Sequence, residues 1–175
     1  MGINASRKAI NSSIIVYEKL LNGVTEETFL KTPAEGVWSY SEVYAHIFSS
    51  TIGCTKAIEA CSRGNAIENN DPLPFSIRVV LFFKRLPPGK KYKVPQVIAK
   101  DVRKISRTEA ADMIQNARQQ LDTIFPLVNS AAVTQKVKHP RLGLLNAEQW
   151  YAFIHLHLLH HQRQLGRIRK LMVGS

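Results

Sequence analysis

Apolar residues recur at three- and four-residue spacing in four long segments of the chain. This spacing places them on one face of an α-helix. The first segment shows it most simply, with an apolar face made of Ile10, Ile14, Tyr17 and Leu21. Because each helix has one apolar face to bury, the pattern predicts an all-α, four-helix bundle. The helices are predicted at about residues 4–22, 39–64, 106–128 and 146–172.

Three of the four helices begin with a small polar residue followed three positions later by Glu or Gln. The first side chain of such a pair accepts a hydrogen bond from a free backbone N–H, and the second reaches back to the start of the helix. The pairs are Ser39–Glu42, Ser106–Glu109 and Asn146–Gln149.

The middle of the chain breaks this regularity. An apolar run over residues 75–83 predicts one extra short helix, and a basic loop is expected over residues 90–105. A loop of that length in a compact domain is often functional. No set of segments has the pattern of paired strands. With 175 residues, the chain is expected to form one domain over residues 1–175.

The charge balance of the chain indicates which class of partner it could bind. The chain carries 24 Lys and Arg against 13 Asp and Glu, a net charge of +11. This excess favours anionic partners, namely nucleic acid, anionic lipid or a negatively charged small-molecule substrate, although a solvated basic surface would have the same composition. No segment is long and apolar enough to span a membrane, and the N-terminus is polar. A cytoplasmic protein without a membrane partner is therefore expected.

The two cysteines do not predict a disulfide. Cys54 and Cys61 are two helical turns apart, which puts their Cα atoms about 10 Å from each other, too far to bridge. Reduced thiols agree with a cytoplasmic location. Cys54 lies on the apolar stripe of the second helix, where such a residue is more often core filler than a nucleophile.

Histidines interrupt the apolar stripe of the fourth helix. His157 and His161 are one turn apart and point into the core, whereas His155 is expected on the opposite face and His160 about 60° to one side. His46 lies on the core stripe of the second helix.

Buried imidazoles need partners for their nitrogens, and one divalent metal would satisfy three of them at once. Hydrogen-bonded core histidines are the other interpretation, and spacing alone leaves both open.

Three short segments resemble the DinB-like metalloenzyme family. Residues 157–165, HLLHHQRQL, resemble its H-x-x-H-H-x-x-Q-L signature, and residues 38–46 resemble its W-S-x-x-E-x-x-x-H segment. The connector at residues 139–143 and the Gln149-Trp150 pair resemble one branch of the family. The resemblance implies a four-helix bundle in which His46, His157 and His161 bind one metal ion. It implies that His160, although next to a ligand, is not one itself.

The resemblance also implies what the metal would be used for. Characterised members include metal-dependent transferases and isomerases that use low-molecular-weight thiols, so we expect a metal-dependent enzyme, with thiol S-transfer as the leading reaction and hydrolysis as another. Three His ligands suit Zn²⁺ or Ni²⁺, with Fe²⁺ and Mn²⁺ as further choices. Gln164, one turn from His161, is a candidate to orient that ring, with a surface or interhelical amide as the other interpretation. His160 and Arg163 are further candidates for a supporting or substrate-binding role. The resemblance further implies a homodimer.

A second hypothesis competes with the enzyme. It is a non-enzymatic, stress-related binding protein whose basic surface holds nucleic acid or a protein partner. An accessible metal in a cleft would favour the enzyme, and a continuous basic face would favour the binding protein.

Overall fold

The computed structural model describes residues 2–85 and 102–173. Within them the chain forms six helices and three short strands. In chain order these are α1 (Ile3–Asn22), α2 (Glu26–Leu30), α3 (Tyr40–Ser62), β1 (Ile67–Glu68), α4 (Phe75–Phe83), α5 (Arg107–Ser130), β2 (Gln135–His139), β3 (Gly143–Leu145) and α6 (Ala147–Val173).

The four long helices α1, α3, α5 and α6 form the predicted four-helix bundle. α3 packs on both α5 and α6, and α1 packs on the same two helices. Their apolar faces join in one buried cluster, in which Ile10, Ile14 and Tyr17 are fully enclosed. The Tyr17 hydroxyl donates to the Leu158 carbonyl at 2.8 Å, a hydrogen bond that ties α1 to α6 in the core. Among the described helices, none is long and apolar enough to cross a membrane.

The predicted helix starts are present, but one is only half formed. Ser39 and Glu42 make a complete capping box at α3, and Asn146 and Gln149 exchange hydrogen bonds of 3.0 Å before α6. At α5 the Ser106 hydroxyl accepts from the Glu109 backbone N–H. The Glu109 carboxylate does not return to the cap because it pairs with Arg103.

The expectation that the chain has no paired strands is wrong. β2 pairs antiparallel with β3 in a hairpin, and β1 adds to the other edge of β2. Gly143 has a φ of 79° at the turn, a conformation that glycine adopts without steric cost. Strands of two to five residues hold too few alternations to stand out from loop sequence.

The short helices also differ from the expectation of a single one. α4 has the predicted bounds, but α2 is a second short helix, begun by Thr25, whose side chain accepts from the Thr28 N–H. Of the predicted basic loop, residues 90–101 lie outside the described residues, and residues 102–105 are neither helix nor strand.

Candidate metal centre

Three histidines from two helices meet inside the bundle. His46 comes from the first half of α3, and His157 and His161 lie one turn apart on α6. Because α3 and α6 pack face to face, the helical period that buries their apolar residues also brings the three rings together. Their ring centroids are 4.6–5.2 Å apart.

The donor atoms have the separations that a single metal ion requires. One nitrogen from each ring lies within 4.8 Å of the other two, and Nε2 of His157 is 2.9 Å from Nε2 of His161. A tetrahedral Zn²⁺ with Zn–N distances near 2.0–2.1 Å holds its ligands about 3.3 Å apart. Since 2.9 Å is shorter than this value and no separation exceeds 4.8 Å, His46, His157 and His161 could hold one ion after small side-chain movements.

Burial keeps two of these imidazoles in the form that binds metal. The pKa of His157 is well below its usual value, first because protein surrounds the ring and then because His161 and His46 stand beside it. Burial likewise lowers the pKa of His161, with further contributions from His46 and His160. Both rings are therefore neutral at physiological pH, and a neutral imidazole has the lone pair that a metal ligand needs.

Gln164 fixes the orientation of one ring. Its Oε1 lies 2.7 Å from Nδ1 of His161, so Nδ1–H of the ring donates to the amide oxygen. In a neutral imidazole this leaves the lone pair on Nε2, the nitrogen that faces His157. This contact is the one expected of a residue that supports a metal ligand.

Aromatic side chains form the walls of the site. Trp38 lies edge-on to His46 at a centroid distance of 5.3 Å, and Phe153 stacks on His157 at 5.2 Å. These rings limit access of water from two sides. His46 and His161 are buried, whereas His157 keeps part of its surface accessible. The group is thus enclosed without being sealed.

His139 contributes to the same wall, although the sequence pattern predicts no role for its side chain. Its Nδ1 accepts hydrogen bonds from the backbone N–H groups of Arg141 and Leu142, both at 3.1 Å, in the β2–β3 turn. The ring packs on Phe153 at 4.4 Å. Burial, aided by the charge of Arg141, lowers the pKa of His139 to about 4. The His-Pro dipeptide before a glycine was the available signal, since it marks a turn.

The other two histidines of α6 differ from each other. His160 is partly exposed beside the three-histidine group, with its ring edge-on to His161 at 5.0 Å. Burial, Arg167 and Arg163 lower the pKa of His160. His155, which the helical period places on the face opposite His157 and His161, is nevertheless buried, with only 7% of its surface exposed. α4 packs on α6, and the charge of Lys84 at the end of α4 is close enough to His155 to lower its pKa further than burial does alone.

Arg163 and the two cysteines lie apart from the three-histidine group in their described contacts. Arg163 is exposed and donates to the Lys84 carbonyl at 3.4 Å. It is therefore not in direct contact with the three-histidine group. Cys54 and Cys61 are free and buried, as expected. Burial raises the pKa of Cys54 to about 12, so this thiol is not a nucleophile at neutral pH.

Comparison with known proteins identifies the family. The DinB superfamily model matches residues 14–165, and the chain therefore belongs to this superfamily. The fold is similar to that in the crystal structure of TT2238, a four-helix bundle protein, with a TM-score of 0.61 and 15% identity over 95% of this chain and 99% of that one. No curated protein matches the sequence.

Proposed function

We propose that this member of the DinB superfamily is a metal-dependent enzyme, with one divalent transition metal bound by His46, His157 and His161. The observation that supports the proposal best is the convergence of three ring nitrogens, from two helices, within 4.8 Å of one another. Three protein ligands are typical of catalytic zinc sites, which keep a fourth position open, whereas structural sites have four. Zn²⁺ and Ni²⁺ are the first choices for such a donor set.

The proposed reaction is transfer of a low-molecular-weight thiol to an electrophile. A divalent metal bound there would supply Lewis-acid chemistry, which lowers the pKa of a thiol or of water. In the transfer a sulfur–carbon bond forms, the bond to the leaving group breaks, and the thiol proton is released. Hydrolysis is the competing reaction at the same position.

The residues around the group would position the reactants. Gln164 holds the His161 ring, and Trp38 and Phe153 restrict water. His160, Arg163 and Arg167 lie on one side of α6, and no carboxylate in the described parts of the chain pairs with either arginine. We assign to them the attraction of an anionic substrate, such as the carboxylates of a thiol cofactor.

Elemental analysis of protein purified without chelator or metal-affinity resin tests the metal. About one equivalent of a transition metal per chain is expected. The loaded protein is then assayed with several low-molecular-weight thiols and a chromogenic electrophile. Metal-dependent loss of the thiol supports the transferase, and metal-dependent ester cleavage without thiol supports the hydrolase. A chain that takes up neither Zn²⁺ nor Ni²⁺ would refute the proposal and favour the binding protein.

A further inference from the structure

Helix α4 has two apolar faces, of which the bundle covers only one. Val80 and Leu81 are buried, and they face the body of the protein. On the opposite side Phe75, Val79 and Phe82 follow each other at four- and three-residue spacing, which aligns them along the helix. A surface helix of a globular protein normally turns one apolar face inward and a polar face to solvent. The outer face of α4 departs from that rule.

The uncovered side chains form a cluster of exposed aromatic rings. Phe75 is 77% exposed, Phe82 75% and Phe83 67%, and the last two rings touch edge to face at 5.1 Å. We call these three residues together with Val79 the α4 patch. Single exposed apolar residues are ordinary, whereas a contiguous group of this kind marks an interaction site. The patch takes no part in the three-histidine group.

Basic residues accompany the α4 patch in the described part of the chain. Arg78 lies within α4, and Lys84 and Arg85 follow it directly. Within residues 2–85 and 102–173, no carboxylate pairs with any of these three or with Arg163, which contacts the Lys84 carbonyl. Among the described residues, no carboxylate therefore competes with an external anion for these cations.

We infer that the α4 patch docks on the surface of an anionic lipid bilayer. Aromatic side chains are favoured at the boundary between headgroups and acyl chains, and each Lys or Arg near an anionic surface adds attraction. The patch presents both features side by side. Such docking needs no membrane-spanning segment. The expectation of no membrane partner rested on the lack of such a segment, and it therefore does not argue against docking on the surface.

A second copy of the chain fits the patch less well. With about 200 Å² for each Phe, the exposed rings offer roughly 450 Å², whereas a stable dimer buries about 800 Å² per partner. Self-association would also bring two sets of like charges together. Single-stranded nucleic acid stacks its bases on aromatic faces, but the edge-to-face pair of Phe82 and Phe83 and the aliphatic Val79 do not make a flat platform.

Vesicle co-sedimentation of the full-length, metal-loaded protein tests the inference. Phosphatidylcholine vesicles with phosphatidylglycerol are expected to bind the protein, and phosphatidylcholine alone is not. Binding should fall as salt is raised, because the headgroup attraction is screened. The double variant Phe82→Ser/Phe83→Ser is expected to bind about tenfold more weakly, because exposed rings can be replaced without a folding cost and each supplies apolar contact with lipid.

Two controls keep the experiment decisive. Val133→Ser removes an apolar side chain that is 65% exposed but outside the patch, and its binding should match wild type. Arg78→Gln/Arg85→Gln should also weaken binding to the anionic vesicles and make it less sensitive to salt. Equal sedimentation of the Phe82→Ser/Phe83→Ser variant and wild type would overturn the inference. The inference would also be overturned if wild type did not bind vesicles at all and instead formed a concentration-dependent dimer, or bound single-stranded DNA, in a way that the Phe82→Ser/Phe83→Ser variant abolishes.

Discussion

Helix α6 carries histidines on two faces, and the partners of their ring nitrogens differ between the two faces. On one face His157 and His161 meet His46, and Gln164 orients one of the rings. On the other face His155 is equally enclosed, yet its Nδ1 finds no hydrogen-bond partner among residues 2–85 and 102–173. Burial lowers the pKa of the histidines on both faces.

Burial of a histidine and convergence of several ring nitrogens are thus two different properties. A buried neutral imidazole is available as a ligand on either face. Among the residues that the structure describes, only the face with His157 and His161 brings three such nitrogens within 4.8 Å of one another. Enclosing an imidazole away from water is unfavourable on either face. The three rings can offset that cost through a shared ion, and no second group of three metal-binding side chains occurs around His155 within residues 2–85 and 102–173.

The largest expected effect is loss of the metal from one face only. His157→Ala removes one of the three ligands, and we expect bound metal to fall from about one equivalent per chain to none, since two ligands hold a transition metal far more weakly than three. His155→Ala is the matched control on the opposite face and should keep its metal. Elemental analysis of both variants, purified in parallel, gives the result.

A thermal-unfolding measurement extends this test. Because an ion that binds only the folded state stabilises it, a chelator should lower the melting temperature of wild type and of His155→Ala, but not that of His157→Ala. Equal metal content in His157→Ala and wild type would mean that convergence of rings does not define the site.

The next effect is on the pH dependence of stability. It comes from His139, which lies in strand β2 and not on α6. Its pKa is about 4 in the folded protein and about 6.5 in an unfolded chain. Between these values the unfolded state binds the additional proton, so the free energy of unfolding should fall as the pH drops from about 6.5 to about 4. The contribution is at most about 3 kcal/mol.

Urea unfolding at several pH values, with chelator present in every sample, measures this slope. His139→Gln keeps a side-chain acceptor in the turn but has no titrating ring, so its stability should decline less steeply with acidification. Parallel curves for the variant and wild type would show that other groups, such as the α6 histidines, account for the acid sensitivity.

The helices were predictable because each carries its own signal. The apolar period, the Ser39 box and the Asn146–Gln149 pair are all contained in short segments. Errors arose where the structure depends on a residue outside the motif or where an element is very short. The Glu109 carboxylate is held by Arg103 instead of the cap, and the strands are too brief to show a period.

The candidate site was predictable for a similar reason. His157 and His161 share a helix face by local geometry, but only packing of α3 on α6 brings His46 to them. The environment of His155 could not be predicted, because the helical period shows which face a residue occupies and not what covers it. Here α4, more than seventy residues earlier in the chain, packs on α6.

A smaller effect on metal affinity is expected from Gln164, the residue that orients the His161 ring. Gln164→Ala leaves all three rings in place but removes the acceptor of the His161 Nδ1–H. Loss of such a supporting contact weakens metal binding by about 10–100-fold, so the ion should still bind. Competition with a metal-sensitive chelating dye measures the affinity. Gln162→Ala, on the same helix and bonded to the Ser13 carbonyl instead, is the control and should retain wild-type affinity.

The smallest effect is expected where α6 meets α1. Tyr17→Phe deletes the hydroxyl that donates to the Leu158 carbonyl, next to His157 in sequence but directed toward α1. The loss should be about 1 kcal/mol, near the ordinary value of one hydrogen bond, because this helical carbonyl also faces the backbone N–H one turn later. Denaturant unfolding measures it, and metal content should stay unchanged because the three rings are untouched. If Tyr17→Phe also released the metal, the faces of α6 would be coupled through the helix itself, and convergence of the rings would not be sufficient to hold the ion.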